Sequence, residues 1–394
     1  MSMSIPQTAA YASGITYPLT TEVKQKLKQS GIDTLIFWAF HVHDNGDIIF
    51  NDELLITYSE QEERSQYVGN NSWPDQLASL IDDTSCISQL EASIGGWDTG
   101  DFTNIQTIYN QNNNSFENTP LNSNFQLFKS MFPMISLIDM DVEDNYDTSS
   151  FIAFNKMLIE IGFEITFCPF EEKDFWTDSL QALQSSNAVK WWNLQCYAGG
   201  YFNNPEQWAS AIISKCPSFN TKGYILVSDW SRFYNNQKGA WQGDCVTALE
   251  QRMHSFKNCE SAGGGFLWNV DQVLDYASEL KKYPDPCECN SANRSLSDYI
   301  CAINNGLGLK RSNTMNFDVS LNQDQLTITN KGEQATLPLT GSNAINLPNG
   351  AIINPPSGTY WHIQHVSGGA SLDGSHGPLA MPADSSAVFK TDKL

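Results

Sequence analysis

Nine residues, 135–143, constrain the fold of this chain more than any others. They read Ile-Ser-Leu-Ile-Asp-Met-Asp-Val-Glu, with an acid at every second position from Asp139 to Glu143. A strand turns successive side chains to opposite faces, so Asp139, Asp141 and Glu143 share one face and Ile138, Met140 and Val142 the other. Three acids side by side repel one another and resist leaving water. A solvated acidic edge or a metal-binding loop would explain the acids alone. The wholly apolar opposite face points instead to a buried strand whose acids act at the mouth of a parallel barrel.

The chain supplies the other strands for such a barrel. Runs of strand length recur at 9–17, 34–40, 90–97, 164–170, 190–197, 223–229 and 263–269. Helix signals lie between them. Phe151, Phe154, Met157, Leu158 and Ile161 recur at helical spacing. Asn204 precedes Pro205 as a cap precedes a first turn, and Ser123 is the expected cap of a helix running to Met131. Eight alternations predict an α/β fold, a (β/α)8 TIM barrel followed by a small all-β domain. We place the barrel at 1–290, a linker at 291–314 and the small β-rich domain at 315–394. In that last segment 327–329 and 359–366 alternate like half-buried strands.

Charge narrows the partners. The net charge is −22, and only six basic and seven acidic residues fall from Ser291 onward, so nearly all the acidity lies in the expected barrel. A strongly acidic surface disfavours nucleic acid and anionic membranes, and leaves neutral or cationic polymers compatible. No apolar run reaches the roughly 18 residues of a spanning helix. The first ten residues show no basic region followed by an apolar core, so no signal peptide is visible. Of the nine cysteines, Cys287 and Cys289 are too close for a common disulfide, and no nearby pair completes a metal site. Cys168 and Cys196 fall in expected strands, where a free buried thiol is the natural reading.

The acidic stretch resembles the signature of glycoside hydrolase family 18, the chitinases and endo-β-N-acetylglucosaminidases, which runs Asp-x-x-Asp-x-Asp-x-Glu on the fourth barrel strand. Asp139, Asp141 and Glu143 match its last three acids. Ser136 stands where the family has its first, and by parity lies off the carboxylate face. The Ser-x-Gly-Gly run ending at Gly96 resembles a second hallmark, Tyr197 a third on strand six, and Trp268 a fourth on strand eight.

The resemblance implies a substrate-assisted retaining hydrolysis of β-1,4 bonds next to N-acetylglucosamine, outside the two-carboxylate scheme. It makes Glu143 the general acid and later the base. Asp141 orients the substrate acetamide, and Asp139 lies deeper and interacts with Asp141. Tyr197 donates to the acetamide carbonyl. Gln195, Trp268, Trp97 and Gly96 fall to sugar binding, with Trp97 equally suited to core packing. The implied partners are chitin or N-acetylglucosamine oligosaccharides, with no cofactor and no metal. Such a polymer implies a secreted, extracellular protein, and whether it travels with other secreted or toxin components stays open. Two other functions fit the same residues: an endo-β-N-acetylglucosaminidase acting on N-glycans, and a catalytically silent, lectin-like chitin-binding barrel. The spacing of Gln195 and Tyr197 leans toward chitin, and the presence of Glu143 toward an enzyme.

Overall fold

The computed structural model describes residues 5–82, 85–287 and 295–309, and, beyond these, the strands of the tail. The chain divides into two compact units, Met1–Leu309 and Lys310–Leu394.

The first unit is a closed barrel of eight parallel strands. In chain order these are β1 (Thr8–Ala12), β2 (Thr34–Val42), β3 (Gln89–Gly95), β4 (Ile135–Asp141), β5 (Glu164–Phe167), β6 (Val189–Leu194), β7 (Ile225–Trp230) and β8 (Ala262–Trp268). Each pairs with its sequence neighbour, and β1 pairs with both β2 and β8, which closes the ring. The parity read from the acidic stretch holds. Ile138 and Met140 point outward into the main core against the helices. Leu137, of the same parity as the acids, points inward and packs with Tyr11, Ile36, Trp191, Leu226 and Phe266 inside the ring.

Several boundaries differ from the sequence reading, each for a local reason. Residues 13–17 turn away after β1, and Thr16 bonds back to the Ser13 carbonyl. The hairpin arm after β2 grows into three antiparallel strands, Ile48–Phe50, Glu53–Ser59 and Arg64–Tyr67. The helix before β4 spans Pro120–Met131 and is capped by Thr119 rather than Ser123. Thr119 Oγ1 accepts the Asn122 N–H, and Pro120 occupies the first turn, where its missing N–H is no loss.

The segment read as a linker, 291–314, is corrected in part. Residues 288–294 and 310–316 lie outside the described residues. Between them Leu296–Leu307 forms a helix of the barrel, with a capping box between Ser295 and Asp298. Its buried face is Leu296, Tyr299, Ile300, Ile303 and Leu307. It packs closely on β8: a Cβ on Gly265 would sit 2.7 Å from Ile303 Cγ2. The pattern was a plain helical one, but the Ser- and Asn-rich sequence before it obscured the start.

The second unit holds a four-stranded antiparallel sheet in the order Phe317–Asn322, Gln325–Asn330, Ser386–Lys393, Thr359–Ser367. Leu326, Ile328, Ala387 and Phe389 are buried on it.

Truncation tests the reassigned helix. A chain ending at Leu309 should fold as a barrel. A chain ending at Cys287 should lose most of its stability, because removing five buried apolar side chains forfeits about 1.5–3 kcal/mol each, comparable to a domain's whole net stability. Thermal unfolding of the two chains checks this, and equal melting temperatures would place the helix outside the barrel's core.

Candidate active site

The inward face of β4 carries its acids from the middle of the ring to its edge. Asp139 is fully buried, Asp141 is 2 % exposed, and Glu143 lies two residues beyond the last residue of β4 and is half-buried.

Asp139 is surrounded by donors from four other strands. Tyr11 Oη of β1 and Ser93 Oγ of β3 each donate to Oδ2 at 2.8 Å. Asn193 Nδ2 of β6 donates to Oδ1 at 3.0 Å, and Thr166 Oγ1 of β5 lies 2.9 Å from the same oxygen. Trp191 Nε1 bonds Asn193 Oδ1 and so fixes which way the amide points. Burial pushes the Asp139 carboxyl up, and these four bonds pull it back toward its ionised form.

Asp141 accepts from Trp38 Nε1 at 3.2 Å and from Gln195 Nε2 at 2.9 Å. The same Gln195 nitrogen lies 3.1 Å from Glu143 Oε1, so one amide holds both acids. Burial, then the charges of Glu143 and Asp139, raise the Asp141 carboxyl well above the usual carboxylate range. Burial also raises Glu143, against the opposing effect of the hydrogen bond it accepts from Gln195. Two carboxyls held on one amide beside a third buried acid repel each other when both are ionised, which favours one retained proton on the pair.

A cavity of about 310 Å³ adjoins these two acids. Its other walls are aromatic: Trp38, Trp97, Phe170, Tyr197 and Trp268. Tyr197 and Trp268 lie with their rings 24° from parallel and centroids 6.1 Å apart, and Trp38 meets Trp268 edge-on at 4.7 Å. Trp97 is 76 % exposed, which excludes the core-packing reading of its sequence position. Gly95 and Gly96 both have positive φ, +101° and +115°. A Cβ on Gly95 would clash with the Asp141 carbonyl, and one on Gly96 would sit 2.8 Å from Trp38 Cζ2. The glycines therefore serve the approach of β3 to β4 and to the Trp38 ring.

Of the site residues read from the sequence, Glu143, Asp141, Gln195, Tyr197, Trp268 and Trp97 line the cavity, Gly96 lies against the Trp38 ring, and Asp139 is fully buried deeper in the ring. The sequence reading assigned no role to Tyr11, Trp38, Glu91, Ser93, Thr166 or Asn193. Strand parity could have found three of them. Glu91 and Ser93 alternate toward Gly95 as Asn193 does toward Gln195 and Tyr197. Tyr11 carried no such signal in a run of five buried residues. Among the described residues no group of three His, Cys, Asp or Glu side chains is placed to hold a metal ion.

The fold and site define a TIM barrel with a buried acid series leading to an aromatic cavity. No family model matches the chain, and no curated protein matches it. Solved structures do align with it. A family 18 chitinase from Pseudoalteromonas aurantia is 12% identical, with TM-score 0.48, and the alignment covers 70% of this chain and 99% of that one. A chitinase from Chromobacterium violaceum is 12% identical, with TM-score 0.45 over 78% of this chain and 100% of that one. Human YKL-39, described as a pseudo-chitinase that retains chitooligosaccharide binding, is 10% identical, with TM-score 0.49 over 77% and 100%. No helix among the described residues is long and apolar enough to cross a membrane.

Tyr11→Phe should destabilise the barrel by about 1–3 kcal/mol, the range for a buried charged partner left short of a donor. The loss has a sign in pH. With one donor fewer the ionised Asp139 is less favoured, so its proton affinity rises. The deficit should be full where wild-type Asp139 is ionised and should shrink as pH falls and the group protonates in both proteins. Denaturant unfolding at several pH values measures it, and a deficit that grows toward low pH would contradict an ionised Asp139.

Proposed function

We propose that this protein hydrolyses β-1,4 linkages in N-acetylglucosamine polymers such as chitin, with the substrate's acetamide as nucleophile. The observation that carries the reading is the placement of Glu143 and Asp141 on one amide, at the side of an aromatic cavity.

The chemistry follows from the residues. Burial and the neighbouring acid favour a proton on the Asp141–Glu143 pair, and Glu143 faces the cavity, so it can protonate the leaving glycosidic oxygen. The acetamide oxygen then attacks the anomeric carbon with retention, and an oxazolinium ion forms. Asp141, freed of the pair's proton, accepts the acetamide N–H and offsets the positive charge that develops there. Tyr197 reaches the cavity and donates to the acetamide carbonyl. Water, deprotonated by Glu143, opens the ring. Trp268 offers a flat apolar surface for the C–H face of a pyranose, and exposed Trp97 extends that surface at the rim. Because chitin is an insoluble polymer, the work belongs outside the cell.

Glu143→Gln removes the donor proton and little volume. It should lower turnover of a chitooligosaccharide by roughly 10²–10⁴-fold while leaving the melting temperature near that of wild type. Retention of more than a small part of the wild-type rate would remove Glu143 from the role of acid. The assay should run beside a high-mannose glycopeptide, with products read by mass. Cleavage of the glycopeptide alone would move the substrate to N-glycans, and binding without turnover of either would make the barrel a lectin.

The nucleophile has its own test. The first product, read by proton NMR in the opening minutes, should be the β-anomer. A thiazoline analogue of N-acetylglucosamine mimics the oxazolinium ion and should inhibit. Asp141→Asn should weaken the analogue strongly and the ground-state oligosaccharide less. Tyr197→Phe should do the same by about 1–3 kcal/mol. An α-anomer as first product excludes this mechanism.

A further inference from the structure

Glu91 lies on β3 in register with Leu137, one inward position below Ser93 and Asp139. It is fully buried. Its Oε2 lies 2.9 Å from Thr166 Oγ1, and the same hydroxyl lies 2.9 Å from Asp139 Oδ1. A hydroxyl carries one hydrogen. It can donate to one of these carboxyl oxygens, and the other carboxyl must then donate to it. One of the two acids therefore holds a proton.

The surroundings decide which. Asp139 has three further donors in Tyr11, Ser93 and Asn193, enough with Thr166 to fill its acceptor sites. Glu91 has Thr166 alone, and its Oε1 has no hydrogen-bond partner among the described residues. An unpartnered buried oxygen is far less unfavourable on a neutral acid than on a carboxylate. The charge belongs on Asp139 and the proton on Glu91. Burial, and then the charge of Asp139, raise Glu91 well above the usual carboxylate range, in agreement with that assignment. The titratable groups facing the pair are Tyr11 of β1, Asp141 of β4, Cys168 just past β5 and Tyr197 beyond β6. All are acids, so none supplies a positive charge that would draw the proton off.

We propose that Glu91 is a proton store for the acid series, passing its proton through Thr166 to Asp139 when Asp141 takes up negative charge. The inference rests on the function proposed above. The step balances within the chain. The Glu91 O–H breaks as an O–H forms on Thr166, and the original Thr166 O–H breaks as its hydrogen passes to Asp139 Oδ1. Net charge is unchanged, but a negative charge moves from beside Asp141 to the next position down the barrel. Asp141 can then ionise against a neutral neighbour instead of a charged one. Glu91 touches no substrate and is a positioning residue.

The test is Glu91→Gln, which keeps a donor to Thr166 but has no proton to give. Asp139 then stays charged, and a fixed like charge raises the proton affinity of Asp141. The acidic limb of the kcat–pH profile on a chitooligosaccharide should move up by about 1 pH unit or more, a tenfold loss of rate on that limb. Thr166→Val removes the connecting hydroxyl and should shift the limb the same way, and the double variant should shift it no further. Thr166→Ser should restore the wild-type profile.

Two measurements do not depend on turnover. The infrared spectrum of wild type at neutral pH should show a neutral carboxylic acid C=O band, sensitive to deuterium exchange, that Glu91→Gln lacks. Stability also reports the proton. Its folded-state affinity is above that of an unfolded Glu, so wild-type stability should fall as pH rises past the unfolded value of about 4.3, and Glu91→Gln should fall less. A missing infrared band, or an unshifted limb in an active Glu91→Gln enzyme, overturns the proposal. No turnover of any chitooligosaccharide, with the band and the stability difference present, means that the proposed function fails while the stored proton stands.

Discussion

A charged carboxylate sealed inside a barrel is stable only if its oxygens are filled with donors, and Asp139 sets that condition for this fold. Its donors come from β1, β3, β5 and β6, while Asp139 itself sits on β4. Five of eight strands must therefore close in one register for a single acid to be satisfied. A slip of one residue in any of them would turn its donor outward and leave an unsatisfied buried charge. Ring closure and site assembly are thus one requirement, and the smaller apolar cluster beneath, with Leu137 and Trp191, holds the ring at the needed radius.

The donors thin out toward the mouth. Among the described residues Asp139 receives four, Asp141 the indole of Trp38 and the amide of Gln195, and Glu143 only the amide it shares with Asp141. Each step outward offers a charge less stabilisation from hydrogen bonds, while the neighbouring negative charges remain. At rest the series therefore favours charge at its middle and a proton toward its outer end. A general acid that faces a cavity needs that order: a group too well supplied with donors would ionise early and have nothing to give. Below Asp139 the order repeats in reverse, because Glu91 receives no donor of its own among the described residues, gives its hydrogen to Thr166 and retains its proton.

Much of this was legible in the sequence wherever period-two alternation ran beside a change in chemistry. The stretch 135–143 declared both its faces, and Gln195 and Tyr197 followed by the same rule. Glu91 obeyed it too, yet was overlooked, and Ser93 was read only as the start of the Ser-x-Gly-Gly run, because the glycines after them drew the reading to the loop instead of the strand. Trp38 was hidden among aromatic neighbours in a continuous apolar run, where periodicity separates nothing. Trp97 could not be decided from the sequence: its exposure depends on the path of the loop after Gly96, a tertiary property. The helix Leu296–Leu307 was missed because proline and short polar residues before it imitate a domain boundary.

Ser136 shows how much geometry a motif leaves unstated. The register of β3 against β4 is Leu90 to Ile135 and then Glu91 to Leu137, so Ser136 is the extra residue of a bulge. A bulge lets two residues oppose one, and it resets which side chains of the strand face the ring. The residues after it, Leu137, Asp139 and Asp141, point inward in step with Glu91, Ser93 and Gly95. A departure from an acidic motif at the bulge thus changes a position outside the carboxylate series and leaves its register intact. A further inward acid of this chain lies on the neighbouring strand, at Glu91. The number of carboxyls in the ring is set by parity and register across strands, which a single linear motif does not count.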